Sequence, residues 1–121
     1  MKVRITVDTI RIRLNQTEVR TLGNGNAVQM VTALSDSSHM VSTVRPASVE
    51  TASARFVGFS LIVEVPRPML TSWAENDVVT LESRQANGTD VGLTILIEKD
   101  FHCLHRNTAD DADTFPNPML R

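Results

Sequence analysis

The sequence predicts one domain of the α+β class, built mostly from antiparallel strands with two short helices. Its 121 residues suit a single domain that buries a self-sufficient core. Several short runs alternate apolar and polar residues, as half-buried strands do. A strand-helix-strand pattern occurs twice, at residues 10–30 and 61–81. We expect about six strands in a small barrel or a paired sheet, because these arrangements limit exposed strand edges.

The two occurrences of this pattern coincide when the chain is shifted by 51 positions. Seven apolar pairs then match with almost no identity, so it is the hydrophobic geometry that repeats. An internal duplication predicts halves of about residues 1–45 and 54–98, followed by a tail at 104–121. The alternative is that any two amphipathic strand-helix-strand units align this well. The matched pairs are Ile10/Leu61, Ile12/Val63, Leu14/Val65, Val19/Leu70, Leu22/Trp73, Val28/Val79 and Met30/Leu81.

The first strand, residues 2–14, changes face part-way along. Its apolar residues have odd numbers up to Val7 and even numbers from Ile10 onward. A pattern of period two changes parity only where a residue is inserted or the chain turns. We therefore expect a bulge or a tight bend at Asp8-Thr9.

A helix of about two turns follows the first strand. Asn15 and Glu18 have the spacing of a capping box, in which each side chain accepts a hydrogen bond from the other residue's backbone N–H. Val19 and Leu22 point inward. Residues 23–26, Gly-Asn-Gly-Asn, end the helix, because glycine and asparagine tolerate the left-handed conformation.

The middle of the chain supplies three more strands. They are expected at 27–34, at 39–45 and at 54–65, with the loop 46–53 as the seam between the halves. The strand at 54–65 repeats the change of parity seen in the first strand, and its buried face includes Phe59.

A second helix begins after Pro66, because proline cannot donate to a strand ladder. Pro68 sets the backbone angle of the first helical turn, and the helix at 69–75 buries Leu70 and Trp73. Strands at 77–84 and 91–98 complete the second half, joined by a turn that contains Asn-Gly. Residues 91, 93, 95 and 97 are expected to form one buried face.

The shape of residues 61–81 is similar to the swapped-hairpin DNA-binding folds of the AbrB kind. The shared features are a strand, a proline, a short helix and a return strand. Those folds usually have Gly-Asp after the helix, where this chain has Asn76-Asp77. The resemblance therefore concerns shape alone.

The amino-acid composition and the N-terminal residues indicate the cellular compartment of the protein. The single cysteine excludes an internal disulfide framework and favours a reducing compartment. Arginines interrupt the apolar N-terminal run, which argues against a signal peptide, and no apolar stretch is long enough to span a membrane. We expect a cytoplasmic protein without a membrane partner.

Charge is distributed unevenly along a chain whose net charge is −2. Residues 1–20 carry an excess of basic residues, and residues 107–121 carry an excess of aspartates. Either the tail folds back along the first strand, or the tail of one subunit meets the strand of another. The second arrangement predicts a homodimer.

The densest collection of reactive side chains follows the last strand. It consists of Glu98, Lys99, Asp100, Cys103 and His105, which form the candidate functional cluster. Glu98 and Asp100 share parity, so they fit either paired carboxylates for acid-base chemistry or a solvated strand end. The solvated strand end is the interpretation we favour.

Two further chemistries centre on Cys103. With His105 and either Asp110 or Asp113 it has the ligand types for a zinc ion, but no Cys-X-X-Cys spacing supports a metal site. As a nucleophile it needs a base such as His39 or His105. A buried structural cysteine with solvated histidines is the simpler interpretation, and we expect no cofactor.

Arg4, Arg11 and Arg13 occupy outward positions of the first strand and define a basic face. Outward arginines can contact phosphates of a nucleic acid. The negative net charge and the lack of interleaved aromatic residues disfavour that partner.

Three stretches of the chain resemble a family of short, uncharacterised bacterial proteins, a domain of unknown function. They are the Ile-Arg-x-Arg-Leu-x-Gln-x-Glu-Val run at 10–19, the Glu-Lys-Asp-Phe-x-Cys-Leu block at 98–104 and the Phe-Pro-Asn-Pro at 115–118. The family typically has Gly-Asn where this chain has Asp8-Thr9. The resemblance implies no activity. It places these residues in a shared pattern: Arg11, Arg13, Glu98, Lys99, Asp100, Cys103 and the tail motif.

No catalytic constellation emerges from these motifs. We therefore expect a small non-enzymatic binding or protein-interaction module, acting on a second copy of itself or on another protein. The alternatives are a metal-binding protein that uses Cys103, His105 and the acidic tail, and a nucleic-acid-binding module that uses the basic face.

Overall fold

A computed structural model of the protein describes residues 1–101 and 113–116. The described part contains eight strands and two helices. In chain order they are β1 (Lys2–Ile5), β2 (Thr9–Leu14), α1 (Gln16–Gly23), β3 (Val28–Ser35), β4 (Ser38–Ala47), β5 (Ser53–Val57), β6 (Ser60–Pro66), α2 (Arg67–Glu75), β7 (Thr80–Gln85) and β8 (Leu93–Lys99).

The strands form two four-stranded sheets. The first sheet has the order β1-β2-β8-β7, and the second has the order β3-β4-β6-β5. The outer pairs of each sheet are antiparallel, and the central pairs, β2–β8 and β4–β6, are parallel. The predicted α+β class is confirmed in its paired-sheet form, and the described strands form no closed barrel.

Two segments that the sequence presents as single strands are hairpins, so residues 1–101 contain eight strands where six were expected. β1 and β2 are joined by a turn in which the Thr6 N–H donates to the Thr9 carbonyl at 2.9 Å. β5 and β6 are joined at Gly58, whose φ of +59° favours glycine. The change of parity marks a reversal of the chain, so the tight bend was the correct alternative.

Each sheet combines a hairpin from the first half of the chain with one from the second half. β1–β2 pairs with β7–β8 in the first sheet, and β3–β4 pairs with β5–β6 in the second. Helix α1 leads from the first sheet to the second, and α2 leads back.

The first hairpins of the two halves have the same register. Lys2 faces Arg13 in one, and Ser53 faces Glu64 in the other, 51 residues further along. An internal duplication stays a prediction, but positions related by this shift are structurally equivalent in the two hairpins.

The equivalence shifts by two residues after the helices. Val28 faces Val44 in the second sheet, and Leu81 faces Ile97 in the first. The sequence-based match of Val28 with Val79 is therefore two residues out of register.

The core lies between the sheets and the two helices. The capping box at Asn15 and Glu18 is confirmed, and Asn76 caps the end of α2. Fully buried aliphatic side chains surround the single tryptophan, Trp73. The buried apolar residues are Ile10, Ile12, Leu14, Val19, Leu22, Val28, Val44, Ala52, Ala54, Leu61, Val63, Val65, Leu70, Trp73, Ile95 and Ile97.

Two residues expected in the core are exposed. Phe59 is 69% exposed because it lies in the turn before β6, and Val91 is 58% exposed because β8 begins only at Leu93. In both cases the strand is shorter than its apolar pattern suggests.

No helix in the described part of the chain is long and apolar enough to cross a membrane.

Candidate functional site

Residues 98–100 lie at the end of β8, where β2, α1 and α2 also come together. Arg13 is opposite Glu98 and Leu14 is opposite Lys99 in the parallel pair β2–β8. Because successive strand residues point to opposite faces, Glu98 and Lys99 have different surroundings. Cys103, His105 and Asp110 lie outside the described residues.

Glu98 connects the candidate functional cluster to the basic face. Its Oε1 is 3.1 Å from Arg11 Nε, and its Oε2 is 3.4 Å from Arg13 Nε. One carboxylate is thus shared between two guanidinium groups on β2. The outward direction predicted for Arg11 and Arg13 is confirmed.

Lys99 points inward and is only 5% exposed. Its Nζ donates to the carbonyl of Asn76, the C-cap residue directly after α2, at 2.6 Å. The ammonium group also lies 5.4 Å from the centre of the Trp73 ring and 5.3 Å from that of Phe115. A cation at a helix C-terminus and over aromatic rings is favourably placed.

Asp100 joins three separate segments. Its N–H donates to the Leu14 carbonyl at 2.9 Å, and its own carbonyl accepts from the Phe115 N–H at 2.8 Å. Its carboxylate accepts from Lys2 Nζ at 2.9 Å. The acidic residue therefore ties the N-terminus and residues 113–116 to the end of β8.

The interpretation of Glu98 and Asp100 as a solvated strand end is wrong. The Glu98 side chain is 16% exposed and the Asp100 side chain is 11% exposed. The two carboxylates do not form a pair either, because they contact different cations: Glu98 contacts Arg11 and Arg13 of β2, and Asp100 contacts Lys2.

Asp113, a candidate metal ligand, contacts a helix. Its Oδ1 accepts from the Thr17 N–H at 3.1 Å in the first turn of α1. Two residues later, the Phe115 ring lies edge-on to Phe101 with their centres 5.8 Å apart. Among the residues at 1–101 and 113–116, no group of three or more His, Cys, Asp or Glu side chains is arranged to hold a metal ion.

On the basic face, each cation of β1 lies directly opposite a cation of β2. Arg4 faces Arg11 and Lys2 faces Arg13. Two adjoining hollows, of about 120 and 220 Å³, are lined by these cations, and Arg4 and Arg11 line both. Val3 also lines the smaller hollow. Thr6 and Thr9 complete the lining of the larger hollow.

Residues 1–119 match the model of a family of unknown function (DUF7009). The chain belongs to this family. No curated protein and no solved structure matches the sequence. The family assignment agrees with the resemblance to uncharacterised proteins, and it transfers no activity to any residue of this family member.

Sequence reasoning missed the partners of the DUF7009 chain's candidate residues. Trp73 was assigned only to the core, Asn76 was considered only as a residue that follows the second helix, and Lys2 was counted only within the basic excess of residues 1–20. The capping preference of asparagine and the single tryptophan were visible signals. The pairing of β2 with β8 was not, because 85 residues separate Arg13 from Glu98.

Proposed function

We propose that the protein is a non-enzymatic interaction module that forms a homodimer through the free edge of β3. The observation that carries this proposal is the character of that edge. β3 has eight residues, contains neither charge nor proline, and is exposed from Val31 to its end at Ser35. Long, uncharged edge strands are templates for pairing with another strand.

The other three edge strands carry charged side chains. β1 contains Lys2 and Arg4, β5 contains Arg55, and β7 contains Glu82 and Arg84. Charges on an edge oppose pairing with a further strand. β3 is the edge that has no such protection.

The β5 and β7 edges are also occupied by contacts within the chain. Gln85 Oε1 accepts from the Ala54 N–H at 2.7 Å, and Gln85 Nε2 donates to the Ala54 carbonyl at 2.9 Å. Ser83 Oγ donates to the Ala52 carbonyl at 2.9 Å. No corresponding hydrogen bond joins β1 to β3 within residues 1–101, which leaves β3 free.

A second copy is the partner that fits an uncharged edge best. A two-fold axis places the same strand of each subunit against the other, so a charged strand would meet its own charges. Self-pairing of β3 brings only neutral side chains together. It would cover Val31 and Leu34, which are 57% and 65% exposed.

We propose that this interaction module acts in the cytoplasm of a bacterium. The family resemblance favours a bacterial origin, and the single cysteine favours a reducing compartment.

Light scattering on the purified protein at micromolar concentration tests the dimer. We expect a dimer for the wild type and a monomer for Val31→Lys, because lysines on the paired edges would repel across the axis. Val91→Lys is the matched control, since Val91 has nearly the same exposure but lies before β8. A monomeric wild type, or an equal effect of both substitutions, contradicts the proposal.

A further inference from the structure

We propose that the basic face of the first sheet is a binding site for a small phosphate-bearing anion of the diphosphate class. The site consists of Lys2, Arg4, Arg11 and Arg13, on the face of β1 and β2 that points away from the core. It lies on a different sheet from the β3 edge and does not depend on the dimer.

The arrangement of these four cations works against the stability of the hairpin. Lys2 and Arg13 are directly opposite, and so are Arg4 and Arg11. Like charges in directly opposed positions destabilise an antiparallel pair. Two such pairs stand next to each other on one face, because Lys2 and Arg4 are two residues apart.

The equivalent hairpin of the second sheet has the same register without this block of charge. There Ser53 faces Glu64, and Arg55 faces Ile62. The fold therefore does not require four cations at these positions. Their presence in β1–β2 points to a partner outside the chain.

Neutralisation of the block is incomplete. Glu98 is shared between Arg11 and Arg13, and Lys2 is paired with Asp100. Arg4 has no ion pair within the described residues. Arg11 Nε is buried and makes no hydrogen bond, although it lies 3.1 Å from a Glu98 oxygen, so this donor is unsatisfied.

The chemical class of the ligand is inferred from the two adjoining hollows. Arg4 and Arg11 line both of them, so two linked phosphate groups can occupy adjoining positions and share these arginines. Guanidinium groups match the geometry of phosphate oxygens through paired hydrogen bonds. The hydroxyls of Thr6 and Thr9 already donate to Asp8, so the attraction comes from the cations.

Isothermal titration of the intact protein with inorganic pyrophosphate tests the site, with orthophosphate and a short DNA duplex as comparison ligands. We expect Arg4→Gln to weaken pyrophosphate binding roughly ten-fold or more, the usual effect of losing a hydrogen bond to a charged group. Arg55→Gln is the matched control, because Arg55 occupies the equivalent position of the second hairpin and leaves the site intact. Circular dichroism of both variants checks that they fold.

Glu98→Gln should change the affinity for pyrophosphate in the opposite direction to Arg4→Gln. Glu98 competes with the ligand for Arg11 and Arg13, so the substitution should tighten pyrophosphate binding several-fold. A purely structural ion pair would give no such gain.

Several results would overturn the proposal: no pyrophosphate binding by the wild type at millimolar concentration, an equal loss in Arg4→Gln and Arg55→Gln, or weaker binding in Glu98→Gln. Binding of the DNA duplex without binding of pyrophosphate would also overturn it and would assign the basic face to nucleic acid. Tighter binding of pyrophosphate than of orthophosphate supports the diphosphate class.

Discussion

At Gly23, the last residue of α1, the two helices approach so closely that no side chain fits. A Cβ placed on Gly23 would overlap the Cβ of Ala74 in α2. Alanine would favour the helix by up to about 1 kcal/mol, while overpacking costs about 1–3 kcal/mol. We predict that Gly23→Ala lowers the free energy of unfolding by on the order of 1 kcal/mol in urea titrations.

The double variant Gly23→Ala/Ala74→Gly separates the clash from helix propensity. The overlap disappears, and the propensity gain at residue 23 is offset by the loss at residue 74. Its stability should return close to that of the wild type. A Gly23→Ala variant that is more stable than the wild type would show that the helices can move apart at no cost.

Residue-level features were predictable where they are local in sequence. The capping box needs only Asn15 and Glu18, which are three positions apart, and both of its hydrogen bonds are present. The role of Asp113 was not predictable in the same way. It accepts from the Thr17 N–H, 96 residues away, and a sequence pattern does not encode which carboxylate reaches a distant helix.

Among the elements, β8 and the end of α2 are held together by Lys99. Replacing it by methionine keeps an apolar stem and removes the charged hydrogen bond to the Asn76 carbonyl and the contacts with two aromatic rings. Hydrogen bonds to charged groups contribute about 1.5–3 kcal/mol. We predict a loss of about that size for Lys99→Met, measured by urea unfolding.

Lys2→Met is the matched control for this prediction. Lys2 also forms a short contact with a carboxylate, but its side chain is 52% exposed. Exposed ion pairs are worth about 0–1 kcal/mol, so this substitution should have a small effect. Equal losses in the two variants would mean that the burial of Lys99 adds nothing to its interactions.

The strands were predictable as apolar patterns but not as paired elements. A change of parity at Asp8 fits a bulge and a reversal equally well, because both add one position to the alternation. The same ambiguity hid the turn at Gly58. The ends of strands were equally invisible, since Phe59 and Val91 continue the apolar alternation into turns that are exposed.

On the scale of the whole molecule, the exchange of hairpins links the two halves. Each central parallel pair joins a strand of the first half to a strand of the second, β2 to β8 and β4 to β6. The sequence predicted similar halves, but it could not show which half supplies each sheet. The alternation of apolar and polar residues shows which side chains share a face of a strand, but it does not show which distant strand pairs with it.

The interleaving also gives each parallel pair a charge pair at corresponding positions, with the signs exchanged. Arg13 of β2 contacts Glu98 of β8, and Glu64 of β6 contacts Arg45 of β4. In each case the contact joins a residue of the first half of the chain to a residue of the second half. Neither half can make these contacts alone, so the halves depend on each other for their pairing.

This dependence predicts that the molecule unfolds in one step. Leu22 belongs to α1 in the first half, whereas Trp73 belongs to α2 in the second, and both are 1% exposed. Leu22→Ala should lower the free energy of unfolding by about 2–5 kcal/mol. Because the halves share both sheets, Trp73 fluorescence and far-ultraviolet circular dichroism should show the same shifted midpoint in urea at one protein concentration. If the halves were independent, the fluorescence of Trp73 would keep the wild-type midpoint while the circular dichroism signal separated into two transitions.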